Sequence, residues 1–319
     1  MVILSYSMKA AQINSYGGPD VIQINENTPK PTLKSGQILV ENYAASINAI
    51  DWKFRAGYLQ KMAPVPLPVT LGGDFAGIVT EVNEGVSDFK VGDEVYGQAI
   101  VLNGGSGSMA QYVVANGANT ALKPKTANFE EASALPLVGV SALQALEEHI
   151  NLTKGQKILI HGAAGGIGHI AIQFAKSLGA YVATTVKAKD FGFVKGLGAD
   201  EAIDYTSNKF EELLKDYDSV FDTVGGETTD KSFQVLKKGG IIVSMLGQPN
   251  EELAEKYGVT AIGQGTKTDT AHLNHLSKLV DSGRIKVHID KVFPFEQVKE
   301  AFTYQEKVHP RGKVVIKVR

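Results

Sequence analysis

The stretch Lys157–Leu178, KILIHGAAGGIGHIAIQFAKSL, decides the fold. A short apolar run, Lys157 to Ile160, leads into a glycine cluster, after which Ile167, Ile170, Ala171, Phe174, Ala175 and Leu178 recur at helical spacing. The pattern reads strand, tight turn, helix. Gly165, Gly166 and Gly168 stand at the turn, where side chains would hold a diphosphate off the backbone and keep the helix from closing on the strand. Unpaired N–H groups and the positive end of the helix dipole then favour an anion there. The dinucleotide fingerprint G-x-G-x-x-G is present as Ala163-Ala164-Gly165-Gly166-Ile167-Gly168, with alanine at its first position. A glycine turn can also serve packing alone, but here a second strand, Ala180 to Val186, follows where a nucleotide fold needs it.

The end of that second strand bears on which nucleotide. An acid about 20 residues beyond the glycines holds a ribose diol and repels a 2′-phosphate. Here Thr185 is followed by Val186, Lys187, Ala188 and Lys189, with no acid before Asp190. Two lysines and a hydroxyl suit a phosphate, so the expected cofactor is NADPH (NADP). The other reading makes Lys187 and Lys189 solvated loop charges.

A chain of 319 residues is long enough for two domains. A net charge of -2, with both signs interspersed, offers no basic face for nucleic acid. The absence of cysteine removes disulfides, thiolate catalysis and sulfur-ligated zinc, and it fits a reducing, cytoplasmic setting. Residues 1–7 carry no signal-peptide pattern and read as an extension ahead of the first strand at Met8, and no run is long enough to span a bilayer.

The first 130 residues read as short strands broken by glycine and proline turns: Met8–Asn14 and Val21–Asn25 as a hairpin, Gln37–Ala45, Leu71–Val82, Phe89–Gly97 and Met109–Val114. From Phe129 the texture becomes helical, with a second helical run over Val138–Ile150, and from Ile158 strands and helices alternate, which predicts a doubly wound parallel sheet. The later strands are expected at Glu201–Tyr205, Ser219–Val224, Gly240–Leu246 and Val259–Gln264. After a helix at Leu273–Asp281 the chain returns to strands at Val287–Phe293 and Lys313–Val318. The C-terminal end is therefore expected to rejoin the first domain, giving 1–130 with 267–319 as one domain and 131–266 as the nucleotide domain.

Several strings carry a resemblance across nearly the whole chain: Asn48-Ala49-Ile50-Asp51-Trp52-Lys53, Leu71 to Gly77, Leu135 to Ala142, the glycine turn, Asp222 to Gly226, and His309 to Val315. In this order they resemble the zinc-free quinone oxidoreductases of the medium-chain dehydrogenase/reductase superfamily, the zeta-crystallin-like group that includes the enone reductases. The resemblance implies an α/β protein with a GroES-like β-barrel catalytic domain and a Rossmann cofactor domain. Zinc-dependent members carry a cysteine where this chain has Asn48 and a histidine where it has Gly73, so no catalytic metal is expected. Without a Lewis acid, alcohol oxidation loses its main electrostatic help, which moves the expectation to reduction of a quinone or an α,β-unsaturated carbonyl.

The same resemblance implies the site residues. On the catalytic side are Asn48 as donor to an acceptor oxygen, Lys53 at the nicotinamide ribose and as proton relay, Asp51 as an orienting or capping group, and Tyr58 along the acceptor. Each has a plainer reading as a turn, surface or packing residue. On the cofactor side are Ser141 near the nicotinamide, Ala164, Gly165, Gly166, Ile167 and Gly168 at the diphosphate, and Thr185, Lys187, Lys189 and Tyr205 at the adenosine half. Gly225, Met245, Leu246 and Gly247 would underlie the cofactor, and Lys313 would reach it from the C-terminal segment. His161 reads as a hydrogen-bonded structural histidine. His272 and His275 with Asp269 read as the polar face of a helix rather than a metal site. A homodimer is expected through the edge strand Val259–Ile262. Two further readings stay open: a nucleotide-binding sensor with little turnover, and a zinc alcohol dehydrogenase.

Overall fold

The computed structural model describes residues 7–319, so the reading of the first residues as an extension lies outside the described residues, apart from Ser7, which already belongs to a strand. In chain order come β1 (Ser7–Ile13), β2 (Ile22–Pro29), β3 (Gln37–Ile47), α1 (Ala49–Arg55), β4 (Val69–Thr70), β5 (Asp74–Val82), β6 (Glu94–Gln98), β7 (Tyr112–Asn116), β8 (Thr120–Leu122) and α2 (Phe129–Ser133). Then follow α3 (Pro136–Leu143), β9 (Lys157–His161), α4 (Gly166–Ser177), β10 (Tyr181–Val186), α5 (Phe191–Gly196), β11 (Glu201–Asp204), α6 (Phe210–Leu213), β12 (Tyr217–Asp222), α7 (Glu227–Ser232), β13 (Leu236–Ser244), α8 (Glu251–Tyr257) and β14 (Thr260–Gly263). The chain closes with α9 (Thr270–Asp281), β15 (Ile289–Pro294), α10 (Val298–Val308) and β16 (Lys313–Lys317).

Two compact units result. One holds the described residues up to Leu137 together with Thr268–Asp281 and Val287–Arg319; the other holds Val138–Lys267 and Ser282–Lys286. Pro136 opens α3 because its fixed φ suits a first turn and its missing N–H is not needed there. That helix gives way to a π-helical turn over Gln144–His149 before the first parallel strand.

In the first unit a sheet of order β2-β1-β4 lies beside a larger one of order β15-β16-β3-β5-β6-β8, with β7 also paired to β3. Ala11 of β1 donates to Met109 O and accepts from Leu71 N, contacts to the segments that lead into β7 and β5 of the larger sheet. β16 pairs antiparallel with β3, Val314 opposite Ile47 and Ile316 opposite Ala45, which brings the last strand back against the third. Ile13, Ala45, Ile47, Phe54, Leu71, Phe293, Phe302 and Ile316 form its main core; each large side chain removed from water contributes about 1.5–3 kcal/mol.

The second unit is one six-stranded sheet of order β11-β10-β9-β12-β13-β14, all parallel. Its strand order reverses between β9 and β12, and both faces are covered, so β9 and β12 are buried along nearly their whole length. Leu159, Ala183, Ile203, Phe210, Val220, Phe233 and Ile242 fill one side. β13 begins at Leu236, four residues ahead of the expected start, because its first residues still pair with β12 on the near side of a bulge.

Among the described residues no helix is long and apolar enough to cross a membrane.

An ion pair between a buried arginine and a half-buried glutamate ties α1 to α10. Arg55, 1% exposed, donates through Nε to Gly17 O at 3.0 Å and through Nη1 and Nη2 to Glu306 at 2.7 and 3.2 Å. Arg55→Met leaves the Glu306 carboxylate and the Gly17 carbonyl without that partner. It is expected to cost roughly 3 kcal/mol, read as a lower urea midpoint at unchanged slope.

Candidate active site

The sequence around β9 shapes an anion cradle. Gly162 takes a positive φ of 67°, and a Cβ built there would stand 2.4 Å from Thr223 Oγ1. Gly165, in extended conformation, caps α4, and Gly165 N–H donates to Gly162 O at 3.0 Å. The first N–H groups of the helix, at Gly166, Ile167 and Gly168, have no acceptor within it by the geometry of any helix. A Cβ on Gly168 would lie 2.5 Å from both Gly162 O and Ala163 Cα, so glycine there is what lets the helix close on the strand. Donor N–H groups, a helix dipole and no side chains in the way fit a diphosphate.

The neighbouring strand ends complete that edge of the sheet. Lys187 and Lys189 are exposed just past β10, with no carboxylate between β10 and Lys189, and this suits a phosphate better than a diol. Past β12, buried Asp222 accepts from Val224 N at 2.8 Å and from Gly225 N and the Thr229 hydroxyl, so one carboxylate shapes the loop. Gly225, Gly226 and Gly247 all take positive φ there. Ser141, fully buried, hydrogen-bonds Thr266 Oγ1 at 2.6 Å and accepts from Gln264 Nε2 at its carbonyl. Ligands of parallel sheets sit beyond these carboxyl ends, at the reversal of strand order.

Beneath the cradle His161 is fully buried. Its Nε2 meets Ser232 Oγ at 2.9 Å, and Ser232 spends its own hydrogen on Thr228 O at 2.6 Å, so the ring proton belongs on Nε2. Nδ1 then accepts from Thr185 Oγ1 at 2.7 Å. Burial pushes its pKa down to about 4 against the pull of Asp222, which keeps the ring neutral and structural.

In the first unit four side chains at the start of α1 form a buried polar cluster. Asp51 caps the helix by accepting from Asn48 N at 2.7 Å. The Asn48 Nδ2 donates to Asp74 Oδ2 at 2.8 Å and its Oδ1 accepts from Lys313 Nζ. Lys313 also donates to Ile47 O at 2.7 Å. Asp74 accepts in addition from Gln98 Nε2 at 2.9 Å and Leu137 N at 3.1 Å. Burial pushes both carboxyls up, Asp51 to about 7, and pushes Lys313 down to about 8 against the attraction of Asp74 and Asp51. The carboxylate with three donors keeps the charge, so the proton settles on Asp51, which has one.

Sequence comparison decides the family. Residues 34–125 match the alcohol dehydrogenase GroES-like domain, and residues 197–316 match the zinc-binding dehydrogenase domain. The chain is 37% identical, over 97% of its length and 79% of the other's, to the chloroplastic NADPH-dependent alkenal/one oxidoreductase of Arabidopsis thaliana. The chain belongs to the medium-chain dehydrogenase/reductase superfamily, in its quinone and alkenal/one oxidoreductase branch. Two solved structures of this branch are similar throughout. The quinone oxidoreductase of Coxiella burnetii superposes with a TM-score of 0.91 at 35% identity, covering 98% of this chain and 99% of that one. The Escherichia coli quinone oxidoreductase complexed with NADPH gives 0.86 at 29% identity, covering 97% and 100%. The fold is accordingly the GroES-like domain with a Rossmann domain.

Two of the residues expected at the cofactor are engaged inside their own units. Thr185 is 3% exposed and its hydroxyl is committed to His161, because the second of two adjacent threonines points into a sheet covered on both faces. Lys313 is 2% exposed and its ammonium donates to Ile47 O and Asn48 Oδ1. Tyr205 and Leu246 are exposed at strand ends, and Ala164 and Met245 are half-buried there. Lys53 lies over the Trp52 ring at 5.7 Å, and Tyr58, 69% exposed, meets the same ring edge-on. His272 Nδ1 stands 2.8 Å from Asp269 Oδ1, and the same carboxylate accepts the His272 N–H, a helix-start contact. Among the described residues no three His, Cys, Asp or Glu side chains are grouped to hold a metal ion. Asp74, Gln98 and Asp222 were missed as working residues. The signals were an acid inside an apolar run, at Gly73-Asp74-Phe75 and at Phe221-Asp222, and the place of both acids in strings that carry the family resemblance.

The raised Asp51 pKa fixes a sign. The folded state holds this proton up to about pH 7 whereas the unfolded chain releases it near 4, so the group's contribution to stability is lost as pH rises between them. Asp51→Asn keeps an acceptor for Asn48 N–H and removes that loss. Its stability relative to the parent should rise by roughly 2–3 kcal/mol from about pH 5 to about pH 7.5 in paired urea titrations.

Proposed function

We propose that the chain is an NADPH-dependent reductase that passes hydride to quinones or α,β-unsaturated carbonyls without a metal. The observation that carries it is the glycine-rich turn Gly165-Gly166-Ile167-Gly168, which opens α4 at the reversal of strand order. The relatives' names, an NADPH-dependent alkenal/one oxidoreductase and quinone oxidoreductases, support the acceptor class.

Bound NADPH supplies the hydride. Gly165, Gly166, Ile167 and Gly168 hold its diphosphate, Lys187 and Lys189 its 2′-phosphate with Tyr205 beside the ribose, and Ser141, Gly225, Met245, Leu246 and Gly247 the nicotinamide half. Asn48 donates through Nδ2 to the acceptor oxygen as negative charge develops on it. Asp51 orients Asn48 through the backbone, Lys53 relays the proton that follows, and Tyr58 lines the acceptor.

A divalent metal is a poor fit at Asn48. An amide and Gly73 replace the soft ligands, and the Lys313 ammonium already stands against the Asn48 and Ile47 oxygen atoms. β14, paired only to β13, is the edge through which a homodimer would form. The cysteine-free composition fits action in the cytosol.

Steady-state oxidation of NADPH and NADH against a panel of small quinones and enones tests the reading. NADPH is expected to be preferred and at least one acceptor class turned over; tight NADPH binding with no turnover on any acceptor would favour a sensor instead. The double variant K187A/K189A should raise the NADPH dissociation constant about tenfold or more and leave that of NADH nearly unchanged.

A further inference from the structure

Strand β16 sets Val314 opposite Ile47, and this register delivers the preceding residue, Lys313, to the junction of β3 and α1. There its ammonium is closed off from water and donates to Ile47 O and to Asn48 Oδ1. The charged or titratable groups facing it are Asp74 on β5 and Asp51 on α1. Asn48 is therefore the middle of a chain running ammonium, amide, carboxylate.

That order leaves the amide one orientation. An ammonium only donates, so Oδ1 must face Lys313. Asp74, which also takes Gln98 and Leu137, accepts, so Nδ2 must face Asp74. Asp74 uses one of the two Nδ2 hydrogens. A cation drawing on the amide oxygen makes the remaining N–H a stronger donor, and the low dielectric around it enlarges the effect.

We propose that Lys313 is a positioning residue for the reduction, fixing and polarising the Asn48 amide so that its second Nδ2 hydrogen meets the acceptor oxygen. This rests on the reading of Asn48 given above. As hydride adds to the acceptor carbon, its electron pair displaces charge onto the acceptor oxygen. Lys313 neither gives nor takes a proton in that step. Its charge stays in place and offsets the new one, and the proton that follows comes through Lys53.

The test compares K313M, K313R, N48A and the double variant N48A/K313M, with turnover on one enone and one quinone and NADPH titrated separately by fluorescence. K313M is expected to lower kcat roughly 10- to 100-fold, the worth of one hydrogen bond from a charged group, with the NADPH dissociation constant within about twofold of the parent. K313R should recover most of that loss. The double variant should be no slower than N48A alone, since Lys313 has nothing to act through once the amide is gone. The side-chain NH2 resonances of Asn48 should also move in the cofactor-free K313M protein. Multiplying losses in the double variant, or weaker NADPH binding at preserved kcat, would overturn the proposal. A normal kcat in N48A would instead sink the reading of Asn48 on which it stands. If K313M does not fold, D74N tests the same chain. It keeps the shape but replaces the carboxylate that anchors Nδ2 with an amide able to donate as well as accept, so Asn48 is held from the Lys313 side only; kcat should fall at unchanged NADPH affinity, and a parental kcat would overturn the proposal.

Discussion

An ion taken out of water has to be met by something, and in the first unit the requirement falls on Lys313, Asp51 and Asp74 together. A carboxylate or ammonium alone in a dry interior costs of order 20 kcal/mol before relaxation, far beyond the net stability of any domain. Each of the three is tolerable only in the presence of the others: Asp74 with three donors, Lys313 with two oxygen acceptors and two facing carboxyls, Asp51 by keeping its proton. These groups come from α1, β5, β6 and β16, and Leu137 adds a backbone N–H. The C-terminal strand therefore completes the interior of the first unit, and a chain lacking it would leave two buried carboxyls facing no cation.

The second unit solves the opposite problem. Its ligand-facing edge is made of backbone N–H groups, glycines and strand ends, while its polar side chains point inward and are spent on one another. His161, Thr185 and Ser232 form a closed set in which every donor direction follows from the Ser232 bond to Thr228 O. Asp222 is consumed in shaping the loop past β12. At the diphosphate turn the fit is made by backbone alone, and a methyl on Gly168 would have to displace Gly162 O and Ala163.

Much of this was legible in the sequence for identifiable reasons. The helical recurrence from Ile167 to Leu178 after a four-residue apolar run permits one reading, and the glycines mark where two backbones must approach. The alternation beyond Ile158 announced a parallel sheet, and the final strand-like run announced a return to the first unit, which β16 makes by pairing with β3. What stayed hidden was the facing of polar side chains. In a strand buried on both sides, period two carries no inside and outside, so Thr184 and Thr185 look alike and only the sheet shows that both are committed. Lys313 was placed by the resemblance alone, and nothing near it in sequence shows the two carboxyls that meet its ammonium. Asp51 and Asp74 are 23 residues apart, and Lys313 lies more than 200 residues beyond both. No local pattern encodes that meeting.

The cluster also bears on which acceptors such a site can serve. A metal ion polarises an oxygen directly and can activate a poor electrophile. An ammonium acting through an amide delivers less, because its charge is already shared with Asp74 and attenuated across one hydrogen bond. Help of that size is enough when the acceptor itself spreads the incoming charge, as a quinone or a conjugated carbonyl does, and too little when an unactivated carbonyl or an alcohol must react. Asn48 and Gly73 in place of a thiolate and an imidazole therefore match the proposed role of Lys313, which asks of the acceptor that it carry much of the incoming charge itself.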